Sequence, residues 1–148
     1  MNRNIDNDGP VIIIEDDIDD QEILTEIFQN LQFTNELIFF CDGQEALDYL
    51  NRTDVRPFII ISDINLPKVD GLELRKKIRE DAKLEVKCIP YLFFSTALNQ
   101  KSVIDAYSAS AQGFFVKENS IGELEKTIKV IMEYWKRCAS PNNFALQA

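Results

Sequence analysis

Histidine is absent from this chain of 148 residues, which removes Ser-His-Asp triads and imidazole acid–base catalysis. Cysteine is scarce. Cys41, Cys88 and Cys138 make an odd set without CxxC spacing, so neither a disulfide framework nor a zinc site is indicated. They read as reduced, partly buried thiols. Long apolar runs are missing too: no segment approaches the ~18 residues a membrane span needs. Met1-Asn2-Arg3-Asn4-Ile5-Asp6 lacks the apolar core of a signal peptide. The expectation is a soluble, cytoplasmic protein with no membrane partner. Positive charge is in deficit, with 16 Lys and Arg against 25 Asp and Glu and a net charge of -9. That balance argues against nonspecific binding to nucleic acid or an anionic lipid surface, and suits cations or basic patches on other proteins. Five glycines and five prolines form no low-complexity tract or internal repeat.

What the chain does have is a 45% hydrophobic share in a length that suits one domain. Strand and helix patterns alternate along it. Val11 to Ile14 is a β-branched run ending at Glu15-Asp16-Asp17. Ile23, Leu24, Ile27, Phe28 and Leu31 then recur at helical spacing, with Asp19 and Asp20 favouring the helix start. Leu37 to Cys41 is a second strand closed by Asp42-Gly43, and Ala46, Leu47 and Leu50 mark a short helix. Phe58 to Ser62 leads to Asp63; Leu72, Leu74 and Ile78 follow in a helix that ends in the charged segment Arg79 to Lys87. Tyr91 to Phe94 runs into Ser95-Thr96, and Val103, Ile104, Ala106, Tyr107 and Ala111 give a further helix. Phe114 to Val116 ends at Lys117, and a last helix carries Ile121, Leu124, Ile128, Ile131, Met132 and Trp135 on one stripe.

Five βα units in series predict an α/β fold: a doubly wound, five-stranded parallel sheet with helices on both faces. The expected boundaries are 10–137 for the domain, with an N-terminal extension 1–9 and a flexible tail 138–148 containing Phe144 and Leu146.

In such a sheet the strand ends share one edge, where open α/β folds bind ligands. Glu15 and Asp16, Asp63, Ser95 and Lys117 therefore become neighbours. Three carboxylates at close range repel one another, and a hard divalent cation relieves this; an all-oxygen set selects Mg²⁺. Two acids and one backbone carbonyl would suffice. A metal-held carboxylate beside a lysine and a hydroxyl suits phosphoryl transfer. Asp63 is then the nucleophile, Lys117 neutralises phosphoryl charge, and Ser95 donates to a phosphoryl oxygen.

The chain resembles the receiver domains of two-component response regulators from about Pro10 to Trp135. The resemblance rests on Glu15-Asp16 after the first strand, Asp63-x-x-x-Pro67-x-x-Asp70-Gly71, Ser95 and Lys117. It implies the flavodoxin-like strand order 2-1-3-4-5 and a phosphoacceptor role for Asp63. Asp16 and Asp63 would bind Mg²⁺ directly, Glu15 through water, and Asn65 by its backbone carbonyl. Ser95 would be the switch hydroxyl and Phe114 the aromatic switch residue, although Phe114 reads equally well as core. The implied donor is a histidine kinase or phosphotransfer protein, and the output a protein–protein contact with an unnamed target. A phosphorylation-dependent dimer is allowed, and catalysis is limited to the domain's own phosphotransfer and dephosphorylation. The segment Glu80 to Lys87 resembles single-domain regulators that partner phytochromes.

One departure from the family stands out. Glu118 follows Lys117 where the family usually has proline, often across a cis bond. Without proline a cis bond costs about 2.5–4 kcal/mol, so the bond is expected trans or strained, and a trans bond would displace the ammonium. Two rivals remain. A pseudo-receiver would bind partners without carrying phosphate. A haloacid-dehalogenase-like hydrolase would need a second acid where Asn65 stands. Asp17 and Asp70 read as helix caps, and Lys76, Lys77 and Arg79 as a solvated helix face.

Overall fold

The computed structural model describes residues 7–139 apart from 53, 55, 86 and 97; the tail from 140 onward and most of the N-terminal extension lie outside the described residues. The elements run β1 (Val11–Ile14), α1 (Ile18–Asn30), β2 (Leu37–Phe40), α2 (Gly43–Arg52), β3 (Ile59–Ser62) and α3 (Gly71–Glu80). Then follow α4 (Ala82–Glu85), β4 (Tyr91–Ser95), α5 (Gln100–Ser108), β5 (Gly113–Val116) and α6 (Ile121–Arg137). All strands pair in parallel, in the order β2-β1-β3-β4-β5. The expected fold class is thus the observed one.

Successive strand residues point to opposite faces, so each apolar run supplies two cores. Ile12, Ile14, Ile60, Tyr91 and Phe93 face the layer of α2, α3, α4 and α5. Val11, Ile13, Ile59, Ile61, Leu92 and Phe94 face α1 and α6. β1, β3 and β4 are buried throughout, whereas the edge strand β2 is half-buried.

Three details differ from the sequence reading. The charged segment after α3 contains the one-turn helix α4, held by Leu84 in the core and by Asp81, whose carboxylate accepts from the Lys83 amide at 2.9 Å. α5 stops at Ser108 rather than Ala111, because Ser110 takes a left-handed φ of 62° that ends the helix. Cys41 and Cys88 are exposed rather than partly buried, each lying in the turn after an element.

Two sets of hydrogen bonds tie elements that are distant in sequence. Arg75 on α3, 8% exposed, donates from Nε to the Ala109 carbonyl at 3.1 Å and from Nη2 to the Ser110 carbonyl at 2.8 Å. Its guanidinium lies 5.3 Å from the Tyr91 ring centroid, and the Tyr91 hydroxyl donates to the Gly71 carbonyl at 2.9 Å. At the amino-terminal edge of the sheet, the Asn7 side chain donates to the Lys136 carbonyl and Lys136 Nζ donates back to the Asn7 carbonyl, at 2.6 and 2.7 Å.

Candidate functional site

The carboxyl edge of the sheet is assembled by extending the strand ladders one residue. Ile14 pairs with Ser62, and the Asp63 amide donates to the Ile14 carbonyl at 3.1 Å, so Glu15 and Asp63 emerge side by side. Ser95 pairs with Val116, and the Lys117 amide donates to the Ser95 carbonyl at 2.8 Å, which places Lys117 at the same edge. Backbone pairing thus gathers residues distant in sequence.

Asp63 is held by its surroundings. Its Oδ1 accepts from the Asn65 amide at 3.3 Å, and the Ser62 hydroxyl donates to its carbonyl at 2.8 Å. Gly71, opening α3, packs so close that a Cβ there would lie 2.1 Å from the Asp63 carbonyl oxygen. Asp70 caps α3, accepting from the Glu73 amide at 2.8 Å, as read from sequence. Asp17 caps α1, accepting from the amides of Asp19 and Asp20. The loop between β3 and α3 is further pinned where the Gly43 amide donates to the Val69 carbonyl at 3.0 Å.

Lys117 occupies the centre. Its ammonium forms a close ion pair with Glu15 Oε2, and reaches Asp20 Oδ2 at 3.3 Å and Asp63 Oδ2 at 3.5 Å. No cis peptide bond occurs among the described residues. The Lys117-Glu118 bond is therefore trans, yet the ammonium is not displaced from Asp63, because the long lysine side chain absorbs the difference. Burial works against this ammonium, but the hydrogen bond and charge of Glu15, then Asp63 and Asp20, hold its pKa above the ordinary lysine value. Burial pushes the Glu15 carboxyl upward, against the lowering effect of Lys117 and of the Asp17 amide that donates to Oε1.

In this arrangement the repulsion expected among the carboxylates is offset by the Lys117 ammonium. Among the described residues no three Asp, Glu or Cys side chains converge closely enough to hold a metal on their own. Both Glu15 oxygens are engaged, and Lys117 supplies the cation that stands between Glu15 and Asp63. The donor set still fits a magnesium ion, which keeps most of its waters and needs few protein oxygens. Asp16 is exposed at the end of β1, Asp63 is half-buried, and Asn65 is exposed beside it.

Ser95 is fully buried at the end of β4. Phe114 is half-buried, its ring 6.4 Å from that of Phe93, so it packs against the core shared by α3 and α5. Asp20 was legible only as a helix-start acid. Its contact with Lys117 has no signal in sequence spacing, since it depends on the fold bringing the first turn of α1 to the residue that follows β5.

Residues 11–129 match the family model of the response regulator receiver domain. Among sequence relatives, a protein named as the probable methanogenesis regulatory protein FilR2 of Methanothrix harundinacea is 30% identical, over 84% of this chain and 82% of that protein. Among solved structures, the phosphorylated cyanobacterial phytochrome response regulator RcpA is 28% identical with a TM-score of 0.80, covering 89% of this chain and 96% of that one. The Mn²⁺-bound form of response regulator Rcp1, a Synechocystis protein, is 26% identical with a TM-score of 0.77, covering 89% and 97%. No helix among the described residues is long and apolar enough to cross a membrane.

Proposed function

The chain belongs to the response regulator receiver family, and from that premise we propose that Asp63 accepts a phosphoryl group from a phosphohistidine on a kinase or phosphotransfer protein. The observation that carries this reading is the placement of Asp63 and the Lys117 ammonium 3.5 Å apart at the carboxyl edge of the sheet. In the transfer an Asp63 carboxylate oxygen bonds to phosphorus as the N–P bond of the donor breaks. The imidazole, protonated on its other ring nitrogen, keeps the electron pair of that bond and leaves as the neutral ring. Lys117 is positioned to follow the charge that gathers on the phosphoryl oxygens. Magnesium, when bound through Asp16, Asp63 and the Asn65 carbonyl, would supply further neutralisation of that charge. Glu15 acts chiefly by holding Lys117, and would reach a bound metal only through water. The manganese in the Rcp1 structure supports a divalent ion in this reading.

The phosphoryl group brings about -1.5 to -2 charges. Capture of that charge by Ser95 and Lys117 biases the β4–α5 loop and the packing of Phe114 on Phe93. Output then passes to a protein partner, or to a second copy, through α5, β5 and the start of α6. Leu98, Ile104, Tyr107 and Ile121 are exposed there. The signalling unit spans 10–137.

Intact mass after incubation with acetyl phosphate tests the reading. One phosphoryl group should be gained with Mg²⁺, none without it, and none in Asp63→Asn. Absence of any gain together with absence of measurable Mg²⁺ binding would make the domain a phosphate-free interaction module.

A further inference from the structure

Among the described residues Lys117 pairs with three acids, of which Glu15 and Asp63 belong to the site read from the sequence. The third is Asp20, whose Oδ2 lies 3.3 Å from Nζ, slightly nearer than Asp63 Oδ2 at 3.5 Å. Asp20 is not required to cap α1, because the Asp17 carboxylate already accepts from the Asp19 and Asp20 amides. Its carboxylate is directed across to β5 instead. The three acids also differ in setting: the side chain of Glu15 is 5% exposed, Asp63 16% and Asp20 36%. Glu15 is thus the fixed partner, while Asp20 holds the ammonium from the solvent side. Beyond Asp20 opens a cavity of about 170 Å³, lined also by Thr96, Glu118 and Asn119.

We infer that Asp20 is a positioning residue for phosphoryl transfer, sharing the Lys117 ammonium with Asp63 until a phosphoryl group on Asp63 outcompetes it. The inference rests on the phosphoacceptor reading of Asp63. One ammonium cannot serve Asp20 and a phosphorylated Asp63 equally. The added phosphoryl charge shifts the balance towards Asp63, and removing the Asp20 charge shifts it the same way in advance. Neutralising Asp20 has two effects of opposite sign. An anionic phosphodonor meets a less negative site and a freer Lys117, so Asp63 reacts faster. A divalent cation meets the same weaker field and binds less tightly.

The test is Asp20→Asn in the full chain, read by the initial rate of phosphoryl gain from acetyl phosphate at saturating Mg²⁺ and by calorimetric Mg²⁺ titration. The rate should rise and the Mg²⁺ dissociation constant should also rise, each about two- to fivefold, the scale for one partly exposed charge. Asp19→Asn removes a carboxylate from the same first turn of α1 and should move neither readout. Asp20→Glu should return both towards wild type. If Asp20→Asn matches Asp19→Asn, or if rate and Mg²⁺ affinity fall together with stability, the inference is overturned while the phosphoacceptor reading stands. A wild-type chain that takes up no phosphoryl group overturns both.

Discussion

Replacing Arg75 by methionine removes a buried cation while keeping a long, flexible side chain in its place. Two charge-assisted hydrogen bonds are lost, to the carbonyls of Ala109 and Ser110, and bonds of this kind contribute about 1.5–3 kcal/mol each. The gross loss is therefore about 3–6 kcal/mol. Against it stands the cost of holding a guanidinium at 8% exposure, a cost that burial registers by lowering its pKa. Relief of that desolvation and the apolar burial of methionine return roughly half, leaving a net destabilisation of about 1.5–3 kcal/mol. Urea unfolding followed by the fluorescence of Trp135 should show the midpoint falling by about 1–2 M. Hydrogen exchange should quicken first at Ala109 to Ala111, the segment that Arg75 ties to α3. Arg75→Lys should recover less than half of the loss, since an ammonium cannot present two parallel donors. A double-mutant cycle with Tyr91→Phe should give a coupling, because the Tyr91 hydroxyl and ring link the same cation to Gly71. A methionine variant as stable as wild type, with unchanged exchange at Ala109 to Ala111, would refute the reasoning and show that desolvation cancels both bonds.

Two further outcomes follow from the site. Gly71→Ala should destabilise the fold by about 1–3 kcal/mol through overpacking, because its Cβ meets the Asp63 carbonyl oxygen at 2.1 Å and Ser62 Oγ at 2.9 Å; it should slow phosphoryl uptake as well, and an uptake rate equal to wild type would show the Asp63 loop to be less constrained than drawn. Lys117 has a raised pKa, so its stabilising contribution is complete below the ordinary value of 10.5 and fades as pH climbs through the higher folded value. The stability gap between wild type and Lys117→Met, measured in urea, should stay level from about pH 8 to 10 and narrow above it, whereas a gap that widens there would contradict the sign.

The strands were the most legible part of the chain, since Val11–Ile14, Ile59–Ser62 and Tyr91–Ser95 are unbroken apolar runs that only a sheet covered on both faces can bury. Parallel pairing then brought Glu15, Asp63, Ser95 and Lys117 to one edge without any need for side-chain detail. What escaped the sequence depended on that detail. α4 is too short for a periodic signal, with Leu84 its one buried side chain and Asp81 capping it. Arg75 stands beside the solvated Lys76, Lys77 and Arg79 in a run of like charges, and only the helix phase turns it inward. The trans Lys117-Glu118 bond predicted a displaced ammonium, but four methylenes give a lysine reach enough to settle among its acids regardless. Asp20 gave no sign because its partner follows β5, 97 positions along the chain.

The reciprocal clasp between Asn7 and Lys136 makes the folded unit almost a closed ring, its two described ends meeting on the side of the sheet opposite the acidic edge. Chains so arranged tolerate being rejoined and reopened elsewhere. A short linker from position 139 to position 7, with the new opening in a surface turn, would rewire the connectivity while leaving every strand pairing in place. A dye or surface tether attached at position 7 or 136 would likewise hang from the blind side, so that an immobilised molecule would present Asp63 and its neighbours outward to whatever approaches from solution.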